Sequence, residues 1–211
     1  RKKRLLISDM DSTIIGQECL DELADFAGLK AEVSAITERA MRGELDFAGA
    51  LTQRVAMLKG LKLGALEACH RERVRLNPGA RELVATMKAH GARCVLVSGG
   101  FGYFTSRVAK MAGFDADRAN TLIDDGAALT GAVSMPILGR EAKLTALLEE
   151  TAALGLTADD AVALGDGAND LDMIKAAGLG VAYKAKPVVA AQTRARIEHT
   201  DLRAALFFQG Y

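Results

Sequence analysis

Asp9-Met10-Asp11-Ser12-Thr13 directly follows the apolar run Leu5-Leu6-Ile7, and its reading decides the fold. The run reads as a short buried β-strand from about residue 4 to residue 9, so both carboxylates stand at the strand's C-terminal mouth. Two acids crowded there repel each other unless a cation neutralises them, which points to a hard metal with oxygen ligands. Alone, the pattern fits a turn or a helix cap as well. A second acidic cluster far downstream, Gly165-Asp166-Gly167-Ala168-Asn169-Asp170, again follows an apolar run, Ala161-Val162-Ala163-Leu164, and raises the reading of the first.

Outward from these two strands, the pattern is helical from Gln17 to about Arg75. Leu20, Leu23, Ala24 and Ala27 share one helical face, Val33, Ile36, Ala40 and Met41 a second, and Phe47, Leu51, Val55 and Leu58 a third. This stretch carries no strand signal and reads as an inserted all-helical bundle. Asn77-Pro78 predicts a helix start, with Asn as cap and Pro in the first turn, and that helix runs to His90-Gly91. Arg93-Cys94-Val95-Leu96-Val97 predicts a buried strand ending in the small-residue turn Ser98-Gly99-Gly100. A helix from about Tyr103 to Met111, a hairpin within residues 119–134 around Asp124-Asp125-Gly126 and a helix from about Glu141 to Leu154 follow. The strand at 161–165, a helix to Ala177, a short strand at 179–182 and a C-terminal helix complete the chain. Such alternation predicts an α/β fold: a doubly wound parallel sheet, residues 1–15 and 77–211, with a helical cap at 16–76. Ligands bind beyond the carboxyl ends of such strands, where Asp9, Asp11, Ser98 and Asp166 fall. The small or turn-forming residues near Gly16 and at 76–79 suit junctions about which the cap opens and closes.

Bulk composition narrows the function classes. The 211 residues are half hydrophobic, and 27 Lys and Arg balance 27 Asp and Glu, so no electrostatic reason exists to expect nucleic acid or an anionic membrane. No apolar stretch approaches the roughly 20 residues of a membrane span, and no signal-peptide pattern is present. Cys19, Cys69 and Cys94 lack metal-ligand spacing and read as reduced thiols of a cytoplasmic protein. His70, His90 and His199 are scattered, Asp172 reads as solvent-facing, and Asp124-Asp125 as turn chemistry. Residue 1 is Arg, which leaves room for an upstream segment, and the oligomeric state stays open, with a homodimer among the alternatives.

The chemistry on which these strand ends converge is phosphoryl transfer through an aspartyl-phosphate. A carboxylate can attack phosphorus directly, and a Mg²⁺ shared by carboxylates and phosphate lowers the repulsion between them. A second carboxyl two residues on suits the leaving alkoxide's proton. Ser98 and the glycine amides, opening a helix, suit a phosphate, and Lys143 would add positive charge. Taken singly, Ser98-Gly99-Gly100 fits a flexible turn, Lys143 a surface lysine, and the Gly165 to Asp170 stretch a loop with a helix cap.

The order Asp9-x-Asp11-x-Thr13, Ser98, Lys143 and Gly165-Asp166-Gly167-x-Asn169-Asp170 resembles the four motifs of the haloacid dehalogenase (HAD) superfamily. With Glu18, Arg54 and Ser98-Gly99-Gly100-Phe101, the nearer likeness is to its phosphoserine phosphatase family, over nearly the whole chain and with no departure at the motif positions. The resemblance implies a Mg²⁺-dependent enzyme hydrolysing O-phospho-L-serine, the last step of serine biosynthesis. It implies Asp9 as nucleophile and metal ligand, and Asp11 as acid–base group with its main-chain carbonyl on the metal. Asp166 would be the remaining side-chain ligand, with Asp170 in the supporting shell. Ser98, Gly99 and Lys143 would hold the phosphate, with Asn169 beside the substrate and Thr13 shaping the first loop. Glu18 would read the substrate ammonium and Arg54 its carboxylate, a pairing that suits an acid and a guanidinium fork. Met41 and Phe47 would form an apolar wall, although cap packing explains them nearly as well. Without the resemblance, Glu18 fits a helix N-terminal acid and Arg54 an exposed helical charge.

Two alternatives compete. One keeps the chemistry but changes the substrate to another small phosphomonoester, or passes the phosphoryl group to a second alcohol. The other is a signalling receiver module, which also combines an Asp, a metal and a Lys, but is near half this length and lacks both the insert and the second acid.

Overall fold

The computed structural model describes residues 1–41 and 44–211, apart from the side chains of Glu38, Ala40 and Met41. The apolar-wall expectation for Met41 therefore lies outside the described residues. The strands are β1 (Leu5–Ser8), β2 (Arg93–Phe101), β3 (Ala116–Asn120), β4 (Leu122–Asp124), β5 (Leu129–Val133), β6 (Ala161–Gly165), β7 (Leu179–Tyr183) and β8 (Ala195–Ile197). Six of them form one sheet in the order β3-β2-β1-β6-β7-β8, and every neighbouring pair in it is parallel.

All four residues of β1 are buried because the sheet is covered on both faces. Leu6 lies in one apolar cluster with Leu96, Val162, Leu83 and Phe104. Its neighbours Leu5 and Ile7 lie in another with Val95, Ala163, Leu147 and Met173. Strand residues alternate between faces, so these two clusters are the two helix–sheet layers of a doubly wound fold. α5 (Ala80–Ala89) and α6 (Gly102–Ala112) cover the first face, and α7 (Arg140–Ala153) and α8 (Leu171–Ala176) the second. β1 lies between β2 and β6, at the point where the strand order reverses, and its C-terminal end opens into the crevice there.

The insert consists of α1 (Cys19–Phe26), α2 (Lys30–Met41), α3 (Phe47–Met57) and α4 (Leu63–Arg73). Leu20, Leu23, Leu51, Val55, Leu58 and Leu66 are buried in the cluster that also covers the first sheet face, so the cap and core share apolar packing. The chain enters and leaves the insert side by side: Ile15 bridges Leu76, and Gly16 N donates to Arg75 O. The hairpin β4–β5 leans on the insert through Gly60 N to Leu129 O, Leu129 N to Leu61 O and Leu63 N to Ala127 O.

Four local readings differ from the sequence expectation. Helix α5 starts at Ala80 rather than at Pro78, because Gly79 between them takes left-handed backbone (φ 83°), and the residue before Pro78 is the chain-crossing Asn77. Its Nδ2 donates to Thr13 O at 2.8 Å, tying the exit of the insert to its entry. β2 continues through the expected turn to Phe101, with its register shifted between Val97 and Phe101. Strands β3 and β8 were not foreseen; both are short sheet edges whose polar residues carry no apolar run. The stretch read as one C-terminal helix divides into α9 (Pro187–Ala190), β8 and α10 (Ala204–Gln209). Among the described residues, no helix is long and apolar enough to cross a membrane.

Candidate active site

Asp9 leaves the end of β1 with its backbone N–H still bonded to Leu164 O of β6, so the strand pairing holds it to its last atom. The chain then tightens into a turn over Met10–Ile14, in which Ser12 takes left-handed backbone (φ 55°). A non-glycine residue held there marks a loop that its surroundings constrain. Within this turn Met10 N donates to Asp9 Oδ1 at 2.8 Å. Thr13 Oγ1 donates to Asp166 Oδ1 at 3.0 Å, so Thr13 joins the two acidic loops.

Asp9, Asp166 and Asp170 each offer a carboxylate oxygen within 4.8 Å of the others, and all three are buried. Lys143, only 2 % exposed, reaches in from α7 to Asp9 Oδ1 at 2.7 Å and to Asp170 Oδ1 at 2.6 Å. Burial alone would lower its pKa, but Asp9 and Asp170 hold it above the ordinary lysine value. Asp170 is saturated: its Oδ2 accepts from Asp166 N at 3.1 Å and Gly167 N at 2.9 Å. Gly165 makes that possible, since a Cβ there would lie 2.4 Å from Asp170 Cγ. Burial and the neighbouring Asp170 push Asp9 well above the usual carboxylate range, with Lys143 opposing them. The same two causes raise Asp166 to about 6. Burial and mutual repulsion that together disfavour ionisation are what a divalent cation relieves, and a buried set of hard oxygen donors fits one.

The Asp11 carboxylate lies apart from this cluster. Its Oδ1 accepts from Cys19 N at the start of α1 (2.8 Å), and its Oδ2 accepts from Ser98 Oγ at 3.1 Å. Burial, and then Glu18, raise its pKa to about 6, a range in which a carboxyl can both give and take a proton near neutrality. Gly100 N donates to Ser98 Oγ at 2.8 Å, so the end of β2 folds around that hydroxyl.

Core and insert meet over these groups in a cavity of about 140 Å³, lined by Asp9, Asp11, Ser98, Gly99, Asp166 and Asn169 from the core and by Glu18, Phe47 and Arg54 from the insert. Glu18, the residue before α1, accepts from Ser12 Oγ at 2.7 Å. Arg54 Nε donates to Ala50 O at 3.3 Å, one turn back along α3. Burial lowers its pKa, against the pull of Asp21 and Glu18. Phe47 begins α3 and stays 39 % exposed, so it is not part of the cap's apolar interior. Its ring closes on the Ser98-Gly99-Gly100 stretch, since a Cβ on Gly99 would lie 3.0 Å from Phe47 Cζ. Asp172, read as solvent-facing, pairs with Arg140 on the surface.

Two residues at this site escaped the sequence reading. Lys186 lines the cavity, and its N–H holds Asp166 O at 3.0 Å. The available signal was its place just after strand β7, on the same edge of the sheet as the other motifs. Asn120, at the end of β3, bonds to Gly99 O and to both main-chain polar groups of Leu138; nothing in its polar sequence context announces that.

Comparison with known proteins agrees with this geometry. Residues 6–175 match the family of haloacid dehalogenase-like hydrolases. Phosphoserine phosphatase of Polaromonas sp. is 48 % identical over 204 residues, covering 94 % of this chain and 86 % of the relative. A solved phospho-aspartyl intermediate analogue of phosphoserine phosphatase superposes with a TM-score of 0.89 at 39 % identity, covering 99 % of both chains. A substrate-bound phosphoserine phosphatase gives 0.90 at 38 % identity, with the same coverage.

Proposed function

Because the chain belongs to the haloacid dehalogenase-like hydrolases, and within them to the phosphoserine phosphatases, we propose that Asp9 is its nucleophile and Asp11 its acid–base group. The reaction is hydrolysis of phosphoserine to serine and inorganic phosphate. One observation carries the assignment of roles: Asp9 and Asp11 of the core line the same cavity as Glu18 and Arg54 of the insert. A phosphomonoester held there would present its phosphate to the carboxylates and its amino-acid end to the insert. We assign residues 16–76 as the cap that reads the substrate, and residues 1–15 with 77–211 as the catalytic core.

The family works with a divalent metal, and the buried acids suit one. Asp9 and Asp166, with the main-chain carbonyl of Asp11, would hold it, and Asp170 supports from behind with its oxygens already engaged. Mg²⁺ is the proposed ion, since an all-oxygen donor set that includes a substrate phosphate suits it. When bound, it offsets the repulsion between the carboxylates and the phosphate oxygens.

Asp9 attacks phosphorus, and the bond from phosphorus to the serine oxygen breaks as the new bond to Asp9 forms. Asp11 gives its proton to the departing oxygen, and serine leaves. Asp11, now ionised, takes a proton from the water that attacks the phosphorus of the aspartyl-phosphate. The bond to Asp9 breaks, phosphate departs, and both carboxyl groups return to their starting states. Ser98, Gly99 and Lys143 hold the phosphate oxygens through these steps, with Asn169 beside the substrate. Glu18 meets the ammonium, Arg54 the carboxylate, and Phe47 walls the cavity.

Phosphate release from phosphoserine, phosphothreonine and sugar phosphates, with and without a chelator and Mg²⁺, tests this reading, with Asp9→Asn as control. Preference for phosphoserine, dependence on Mg²⁺ and loss of both turnover and phosphate labelling in Asp9→Asn are expected. Turnover retained by Asp9→Asn would refute the nucleophile assignment.

A further inference from the structure

Asn120 ends the edge strand β3 and is 2 % exposed, with no free polar atom on its side chain. Nδ2 donates to Gly99 O at 2.8 Å and to Leu138 O at 3.1 Å, and Oδ1 accepts from Leu138 N at 2.7 Å. The partners themselves decide which end is oxygen, since an N–H can only donate and carbonyls only accept. The β2–β3 ladder shifts register between Val97 and Phe101, so Gly99 draws its carbonyl partner from this side chain.

What Asn120 grips leads in two directions. The peptide whose carbonyl it holds, between Gly99 and Gly100, donates its N–H to Ser98 Oγ at 2.8 Å, and Ser98 Oγ donates to Asp11 Oδ2 at 3.1 Å. Leu138, gripped at the other end, is followed by Gly139, the residue that caps α7, and Lys143 lies on the first turns of that helix. A peptide between two glycines turns over at little steric cost, and a turned one would set its carbonyl oxygen where Ser98 Oγ now receives an N–H, disturbing the hydroxyl proposed to hold the phosphate.

We propose that Asn120 is a positioning residue for phosphoryl transfer, locking the Gly99-Gly100 peptide plane and the start of α7 so that the Ser98 hydroxyl and Lys143 face the phosphate together. This rests on the reading of Ser98, Gly99 and Lys143 as phosphate holders. Asn120→Asp keeps the shape and the acceptor for Leu138 N, but sets an anion against two carbonyls. Thr105→Val is the matched control: it removes a partly buried bond of 2.7 Å to Asp117, which lies on the same strand as Asn120, and touches no part of the phosphate loop.

The measurements are inhibition by inorganic phosphate, kcat and KM for phosphoserine, and Tm. For Asp at position 120, phosphate inhibition should weaken about tenfold and kcat fall by a similar factor, the effect of one or two lost hydrogen bonds. Thr105→Val should lower Tm comparably while leaving phosphate inhibition, kcat and KM as in the wild type. Unchanged phosphate inhibition in Asn120→Asp, or an equal weakening in Thr105→Val, would overturn the proposal. Should Asn120→Asp not fold, Asn120→Ser, which retains one shorter donor, is read by the same criteria. Ser98→Ala separates the two levels: if it leaves phosphate inhibition untouched, the phosphate-holder reading fails, whereas an effect at Ser98 with none at Asn120 sinks this inference alone.

Discussion

Replacing Arg54 by alanine should damage the use of phosphoserine far more than the use of a phosphate ester without a carboxylate. Arg54 projects from α3 into the cavity, and its only hydrogen bond among the described residues is from Nε to Ala50 O. The terminal nitrogens are therefore available for a forked contact to a carboxylate. Such charge-assisted bonds contribute about 1.5–3 kcal/mol each, and solvent reaches this half-buried side chain, so the pair together should give about 2–3 kcal/mol. That corresponds to a roughly 30- to 150-fold loss in kcat/KM for phosphoserine. The fold should be little affected: the Nε bond runs within one helical turn, and alanine is the better helix former, so unfolding should change by about 0.5 kcal/mol or less. The assay compares kcat/KM for phosphoserine and for an aryl phosphate at fixed Mg²⁺. The aryl phosphate contacts only the core groups and should keep its rate to within about threefold. Equal losses on the two substrates, or none on phosphoserine, would remove Arg54 from substrate reading.

Glu18→Gln should narrow the preference for phosphoserine over its analogue lacking the ammonium group, read as the ratio of the two kcat/KM values; an unchanged ratio would refute the ammonium contact. Lys143→Met leaves Asp9 and Asp170 buried without their cation. It should cost about 3–5 kcal/mol in urea unfolding together with turnover, and a loss under about 1 kcal/mol would show that the acids do not depend on it. Away from the site, Glu150 pairs with Arg93 and Arg118, each at 2.7 Å. Burial pushes Glu150 up, but the two arginines bring it below the ordinary glutamate value of 4.5. A depressed folded pKa stabilises above the unfolded value and is lost as pH falls through the folded one. The stability advantage of wild type over Glu150→Gln should thus be full near neutrality and shrink below about pH 4.5; thermal unfolding from pH 7 to 3 that shows a constant gap would contradict it.

Much of this site could be read from the chain because the two acidic motifs sit where strands run out. Leu5 to Ser8 is apolar enough to be buried on both faces, so whatever follows it must emerge at the sheet's carboxyl edge. The same logic placed Asp166, whereas Ser98 lies within β2, where its ladder to β3 shifts register. Asn77 misled because its amide has two uses: capping a helix, which its sequence context suggests, and tying one chain crossing to another, which depends on Thr13 being nearby. Edge strands β3 and β8 are paired on one side only, need no apolar run, and so left no periodic signal.

Phe47 marks the division most clearly. Its helical spacing with Leu51 and Val55 suits a cap interior and a cavity wall equally, and only the approach of α3 to the core sets its ring against Gly99 rather than inside the insert. Sequence alone determined the alternation of strands and helices, the insertion of a helical cap and the identity of the paired acids, because these follow from local periodicity and spacing. Tertiary structure alone decided that Lys143 is buried between two carboxylates, that Glu18 and Arg54 share a cavity with Asp9, and that Asn120 binds the Gly99 carbonyl. Those contacts join residues far apart in the chain, and local preference carries no information about which distant groups packing will bring together.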